Sequence, residues 1–163
     1  MAVIELRTAP VQRPDADAAL EALYAAHWQP LVRLSVLLVS DLSTAEEVVE
    51  DAFVAMHQRW HRLRDTEKAL AYLRKTVASR SRAGARHRRA RPDLAGAPPQ
   101  LVLGAIQALP QRQREVVALR CYLQLSEADI ADTLGIRRRS VRRHASEGMA
   151  ALSAVSAGRS RTA

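Results

Sequence analysis

The chain has 163 residues, of which 25 are Lys or Arg and 17 are Asp or Glu, so its formal net charge at pH 7 is +8. Such a charge predicts a polyanionic partner, and nucleic acid is favoured over a membrane because no segment is apolar enough to anchor in one. The single cysteine, Cys121, excludes a disulfide framework and fits a reducing compartment. With no signal peptide visible, we expect a cytoplasmic protein.

The hydrophobic pattern is that of helices throughout, and the alternation typical of strands is absent. Residues 1–15 contain two prolines and are expected to form a loose tail. An apolar stripe from Ala18 to about Val39 predicts the first helix, which Pro30 should break or kink. Ser43 and Glu46 form a capping-box pair and predict the start of the second helix.

The buried face of this second helix should include Val49, Phe53, Met56 and Trp60. Asp65 is a candidate cap for a third helix whose inward residues are Leu70, Leu73 and Val77. Residues 88–100 contain three prolines and a glycine and interrupt every helical period, which predicts a linker. The expected plan is therefore all-α, with two small helical domains (16–87 and 101–153) on either side of that linker.

The second domain should begin with a short amphipathic helix that ends at Pro110, followed by a helix from about Gln111 to Leu123. Cys121 would lie in its core rather than act as a nucleophile. Residues 154–163 are small, polar and basic, and we expect a disordered tail there.

A helix-turn-helix pattern begins at Ser126. Ala131 allows two helices to approach closely, Gly135 can adopt the left-handed conformation that ends the first of them, and Val141 would lock the second onto the first. The second helix then presents basic residues outward, as a recognition helix does in the major groove. The candidate DNA-binding residues here are Arg137, Arg138, Arg139, Ser140, Arg142, Arg143 and His144. The alternative is an ordinary helical hairpin with solvated arginines.

A second basic zone lies between Ala69 and Pro92, which contains no acid. Lys75, Ser79, Arg82 and Arg86 follow one another at four- and three-residue steps, so they share a helix face opposite the apolar stripe. Such a face suits a helix laid along DNA phosphates. The alternative is a solvated helix whose arginines serve solubility.

Negative charge is concentrated in Glu46, Glu47, Glu50 and Asp51. Acids in a first helical turn favour the helix dipole, which accounts for the first two better than for the last two. Because DNA would repel this face, we interpret it as a docking surface for a basic protein partner.

The sequence gives little support for a catalytic function. His57 and His61 have a metal-ligand spacing without an evident third ligand, so no metal site is expected. There is no glycine-rich phosphate loop and no pair of catalytic acids, so we expect neither an enzyme nor a cofactor.

Taken together, four segments resemble the extracytoplasmic-function class of bacterial RNA polymerase sigma factors, in a style most similar to actinobacterial members. They are residues 23–34 (LYAAHWQPLVRL), 45–53 (AEEVVEDAF), 71–82 (AYLRKTVASRSR) and 109–117 (LPQRQREVV). Their order and spacing cover most of the chain.

The resemblance implies roles for the charged surfaces. The acidic helix would dock on the clamp helices of the largest polymerase subunit, and the second domain would sit on the flap of the second-largest subunit. The helix-turn-helix would read the minus-thirty-five element. The minus-ten element would be bound and melted by the basic helix and the loop from Arg62 to Thr66, through Arg64, Arg74, Lys75, Ser79, Arg82 and Arg86. That loop would capture a flipped base, and an anti-sigma protein is a possible further partner.

Two departures from the family pattern stand out. The family usually has Asn at the position of Ser79, and a Ser-x-Gly-Thr type of sequence where this chain has Arg137 to Ser140. The alternatives to an active sigma factor are a free-standing helix-turn-helix regulator and a degenerate sigma-like protein that does not initiate transcription.

Overall fold

The computed structural model describes residues 16–63, 65–88 and 101–159, and regular structure in these residues is entirely helical, which confirms the all-α prediction. The first half of the chain contains α1 (Ala16–Val39), α2 (Leu42–Gln58), the short α3 (Trp60–Leu63) and α4 (Thr66–Arg88). The second half contains α5 (Leu101–Ala108), α6 (Gln111–Val117), a π-helical segment (Ala118–Tyr122), α7 (Glu127–Leu134) and α8 (Arg138–Arg159). The N-terminal tail and most of the linker predicted from the sequence lie outside the described residues.

Helix α1 runs without interruption through Pro30, so the predicted break does not occur. Proline removes one intrahelical N–H and crowds the preceding turn. Leu31 and Leu34, which follow directly, are fully buried, and their packing offsets that loss.

Helix α2 begins two residues earlier than predicted, and the capping box at Ser43 and Glu46 is wrong. The cap is Asp41, whose extended backbone lets its carboxylate accept the N–H of Thr44 at 2.8 Å. Aspartate caps as well as serine does, so the sequence offered two neighbouring candidates. The predicted buried face is present at Val49, Phe53 and Met56, whereas Trp60 lies in α3 and is half-buried.

The predicted cap of the third helix is confirmed. Oδ1 of Asp65 accepts the N–H of Glu67 at 2.8 Å, and α4 follows at once. Leu73 and Val77 are completely buried, and Leu70 partly so.

Two predictions about the second half are wrong. Helix α8 extends to Arg159 instead of giving way to a tail after Ser153, because residues 150–157 contain four alanines, the strongest helix former. Cys121 is exposed, because it lies on the outer side of the π-helical segment. The short helix ending before Pro110 is confirmed.

The two halves pack against each other around one continuous apolar core. Helix α1 contacts α5, α6 and the π-helical segment, and α4 contacts α7. A hydrogen bond crosses the same boundary, in which Nη1 of Arg114 donates to the carbonyl of Leu38 at 3.1 Å. In the part of the chain that is described, no helix is both long and apolar enough to cross a membrane.

Candidate nucleic-acid interface

The helix-turn-helix has the local geometry that its sequence predicts. The Ser126 hydroxyl accepts the N–H of Asp129 at 3.1 Å and caps α7. Gly135 then ends the helix with φ 64° and ψ 39°, the left-handed conformation, and its N–H donates to the carbonyl of Ala131. The chain can therefore turn within three residues and begin α8.

The two helices are fixed to each other by apolar side chains. Ile130 and Val141 are completely buried, Ala131 and Leu134 nearly so, and Ile136 is partly buried in the turn. This is the packing that the sequence predicts, and it holds the exposed side of α8 at a defined angle to α7.

Four arginines of the proposed recognition helix are exposed: Arg138, Arg139, Arg142 and Arg143. Two of the other residues predicted to bind DNA in this segment are less accessible. Ser140 is half-buried, and the His144 side chain is only 17% exposed and lies 3.7 Å from Oε2 of Glu147. His144 therefore faces the protein more than the solvent.

Arg137 is exposed and directly precedes α8. Its carbonyl accepts the N–H groups of Ser140 and Val141, at 2.8 and 3.1 Å. Its guanidinium has no acceptor for the remaining N–H groups of the first turn. The side chain at this position therefore adds charge without capping the helix.

The basic helix of the first half is α4, and its predicted DNA-binding residues are not equally accessible. Lys75 and Ser79 are exposed and Arg74 is partly buried. Arg64 and the side chain of Arg86 lie outside the described residues. Arg82 is 18% exposed because an acid of the second half holds it.

That acid is Glu115, on α6. Its side chain is 3% exposed, and Arg82 donates to both carboxylate oxygens, from Nε at 2.8 Å and from Nη2 at 3.1 Å. Arg112 donates at 3.0 Å and Gln111 at 3.4 Å from the same helix. A carboxylate satisfied this completely is a strong contact, since charged and bidentate hydrogen bonds are the strongest kind.

Sequence reasoning missed Glu115, although a signal was available. Ala118 and Leu119 lie three and four residues further along the helix and are buried, so Glu115 occupies the same inward face. An acid on such a face needs a partner, and its partner is 33 residues away in the chain.

Residues from both predicted DNA surfaces line a single cleft of about 780 Å³. Its lining includes Lys75 of α4 and, from the helix-turn-helix, Asp132, Ile136, Arg137, Arg139 and Ser140. A smaller adjoining cleft brings Arg74 and Lys75 together with Asp129 and Asp132 of α7. The basic face of α4 is thus turned toward the helix-turn-helix.

The acidic surface is the outer face of α2. Glu46, Glu47, Glu50 and Asp51 are all exposed, and Asp51 forms an ion pair with Arg80 of α4. Two large apolar side chains on the same helix are also exposed, Leu42 at 57% and Val54 at 58%. Acids flanked by exposed apolar groups suit a protein partner better than solvent alone.

The aromatic side chains near α4 pack against the core, and the two histidines considered for a metal site are exposed. Trp60 and Tyr72 are half-buried against the core, and the Arg59 guanidinium lies 5.6 Å from the centre of the Tyr72 ring. His57 and His61 are exposed, and no group of three or more His, Cys, Asp or Glu that could hold a metal occurs among the described residues. Elsewhere, burial and the charge of Arg74 lower the pKa of His27.

The chain is similar to known proteins in the sequence of one segment and in its fold. Residues 100–152 match the family model for sigma-70, region 4. The fold is similar to that of CnrH, whose structure in complex with the cytosolic domain of CnrY superposes with a TM-score of 0.72 at 24% sequence identity. That match covers 89% of this chain and 91% of CnrH. No curated protein sequence matches the chain.

The family match is confined to residues 100–152, and the likeness to CnrH, at 24% sequence identity, shows the fold alone. The similarity to actinobacterial members stays a prediction.

Proposed function

We propose that the chain is a sigma factor of the extracytoplasmic-function class, which binds core RNA polymerase, recognises promoter DNA at two elements and promotes its melting. The observation that carries the proposal is the helix-turn-helix within the segment that matches sigma-70, region 4, with four arginines exposed on its second helix. The similarity of the fold to that of CnrH supports the assignment of a second module to the first half of the chain.

The upstream element is bound by α8. Arg138, Arg139, Arg142 and Arg143 reach base edges and phosphates of the major groove, because guanidinium groups pair with guanine and phosphate in a bidentate manner. Arg137 and Ser140 contribute from the start of the helix. His144 serves this surface only by supporting the helix, since its ring is largely buried.

The minus-ten element is bound by α4 and by the loop before it. Lys75 and Ser79 are exposed on this helix, and Arg82 joins them once it is released from Glu115. Arg64, Arg74 and Arg86 complete the surface. Phosphate contacts position the helix, while bases released from the duplex are captured at the loop, which supplies the energy for opening.

Core polymerase is bound by the acidic face of α2, which docks on the clamp helices of the largest subunit, while the region 4 domain docks on the flap of the second-largest subunit. Acids grouped around exposed Val54 favour a basic, partly apolar partner surface. An anti-sigma protein is a further partner, by analogy with the CnrH structure, which contains the cytosolic domain of CnrY.

In vitro transcription tests the proposal. Core polymerase, with and without the chain, is given supercoiled templates that carry fragments of the host genome, and the 5′ ends of the transcripts are mapped. We expect defined start sites that depend on the chain. DNA binding without any start site would indicate a degenerate sigma-like protein. DNA binding that core polymerase does not alter would indicate a free-standing regulator.

A further inference from the structure

Arg82 has two contacts that compete with each other, the ion pair with Glu115 and the proposed contact with DNA. Arg82 belongs to the surface that we propose binds the minus-ten element, yet both oxygens of a buried carboxylate hold its guanidinium. A carboxylate and a phosphate offer the same planar pair of acceptor oxygens to arginine. Glu115 therefore occupies Arg82 as a DNA phosphate would, and the two contacts exclude each other.

A separate cleft joins other residues of the two proposed DNA surfaces. Lys75 of α4 lines it together with Arg137 and Arg139 of the helix-turn-helix. The two surfaces are therefore adjacent in this arrangement, whereas the proposed function requires them to bind two separate promoter elements. Both surfaces can engage DNA fully only after the halves separate.

Separation also breaks apolar contacts. The core is continuous from α1 and α4 into α7 and the π-helical segment, with Leu119 and Ile130 completely buried. Opening the interface exposes part of this core to water, which is unfavourable in proportion to the apolar area. The free protein therefore has a reason to remain closed until a partner covers the exposed surface.

We propose that the Arg82–Glu115 ion pair is an intramolecular latch that holds the free protein in a closed arrangement unable to bind both promoter elements. The inference rests on the proposed function, because Arg82 is assigned there to binding of the minus-ten element. Its physical content, a closed state stabilised by one ion pair between the halves, does not depend on polymerase or DNA.

The test measures the separation of the halves in the full chain alone. In a Cys121→Ser background, spin labels at the exposed positions Gln58 and Ala150 report the distance between α2 and α8. We expect one narrow distance distribution for the parent. Arg82→Gln and Glu115→Gln should each raise the ratio of long to short distances at least about tenfold, since removing one partner of a buried charge pair leaves the other uncompensated.

Arg80→Gln is the matched control. It removes the same charge from the same helix, but its ion pair with Asp51 lies within the first half, so the distribution should stay narrow. The exchanged pair Arg82→Glu with Glu115→Arg should restore closure relative to either single reversal. If Glu115→Gln fails to fold, the Arg82→Gln variant alone tests whether the ion pair holds the halves closed.

An unchanged distribution in Arg82→Gln would overturn the latch, as would equal opening in Arg80→Gln. Failure of the proposed function gives a different result. In that case Arg82→Gln and Glu115→Gln still open, while the parent chain directs no transcription from defined start sites.

Discussion

Nε of Arg142 on α8 lies 2.7 Å from Oε2 of Glu127 on α7. The Arg142 side chain is nevertheless 70% exposed, and exposed ion pairs contribute only about 0–1 kcal/mol. The contact orients the guanidinium along the outer face of the helix-turn-helix without binding it tightly. A DNA phosphate or a guanine edge can therefore replace Glu127 at small cost.

Truncation of this surface should weaken binding to the upstream element. We expect Arg142→Ala and Arg143→Ala each to cost about 1–3 kcal/mol if the residue contacts a base. The one that contacts a phosphate should also reduce the slope of log K against log salt by about 0.9. Titrations of labelled upstream DNA at several salt concentrations measure both quantities.

The matched control is Arg33→Ala, which removes an exposed arginine of α1 far along the chain from the helix-turn-helix. It lowers the net charge equally and should change neither quantity appreciably. An unchanged slope in both α8 variants would exclude the groove-facing assignment.

Charge reversal on α2 should reduce the affinity for core polymerase. Glu50→Lys combined with Asp51→Lys places two cations where a basic partner is expected, and like charges across an interface cost several kcal/mol, or at least about tenfold in affinity. Glu21→Lys, on an exposed part of α1, is the control. Fluorescence titration against core polymerase measures the change, and undiminished binding would remove both acids from the docking surface.

The start of α8 can be stabilised by one substitution. Arg137 precedes the helix and its guanidinium offers no acceptor, so Arg137→Ser should raise the free energy of unfolding by about 1 kcal/mol by supplying a cap. Arg138→Ser, inside the first turn, removes the same charge but cannot cap, and it should give no such gain. Equal midpoints of urea unfolding for the two variants would contradict the capping argument.

Two of the helical glycines, Gly148 and Gly104, should respond oppositely to alanine. A Cβ at Gly148 would lie 2.7 Å from Cγ2 of the buried Val117, so Gly148→Ala should destabilise the fold by about 1–3 kcal/mol through overpacking. A Cβ at Gly104 meets nothing within 4 Å, so Gly104→Ala should stabilise by about 0.5–1 kcal/mol. Urea unfolding distinguishes them. A neutral Gly148→Ala would mean that α6 and α8 pack less closely than described.

Local signals in the sequence predicted the helix-turn-helix well, because Ala131, Gly135 and Val141 each act within a few residues of their own position. Where two local signals compete, prediction failed. Asp41 and Ser43 can both cap a helix, and the structure selects the aspartate.

The contact between Arg82 and Glu115 could not be predicted from spacing, since it joins helices on opposite sides of a proline-containing segment. The pattern identified Arg82 correctly as part of a basic helix face. Only the packing of the two halves reveals that Arg82 is held by Glu115 while Lys75 and Ser79 on the same helix stay exposed. The same packing leaves Cys121 outside the core.

Footprinting of the polymerase complex is the most direct test of whether the chain binds two promoter elements and opens one of them. Genomic fragments retained by core polymerase only when the chain is present are probed with hydroxyl radicals and with permanganate, which marks unpaired thymines. We expect two protected stretches, upstream and downstream, with permanganate reactivity at the downstream one. A single contiguous protected stretch, identical with and without core polymerase and free of unpaired thymines, would contradict this expectation.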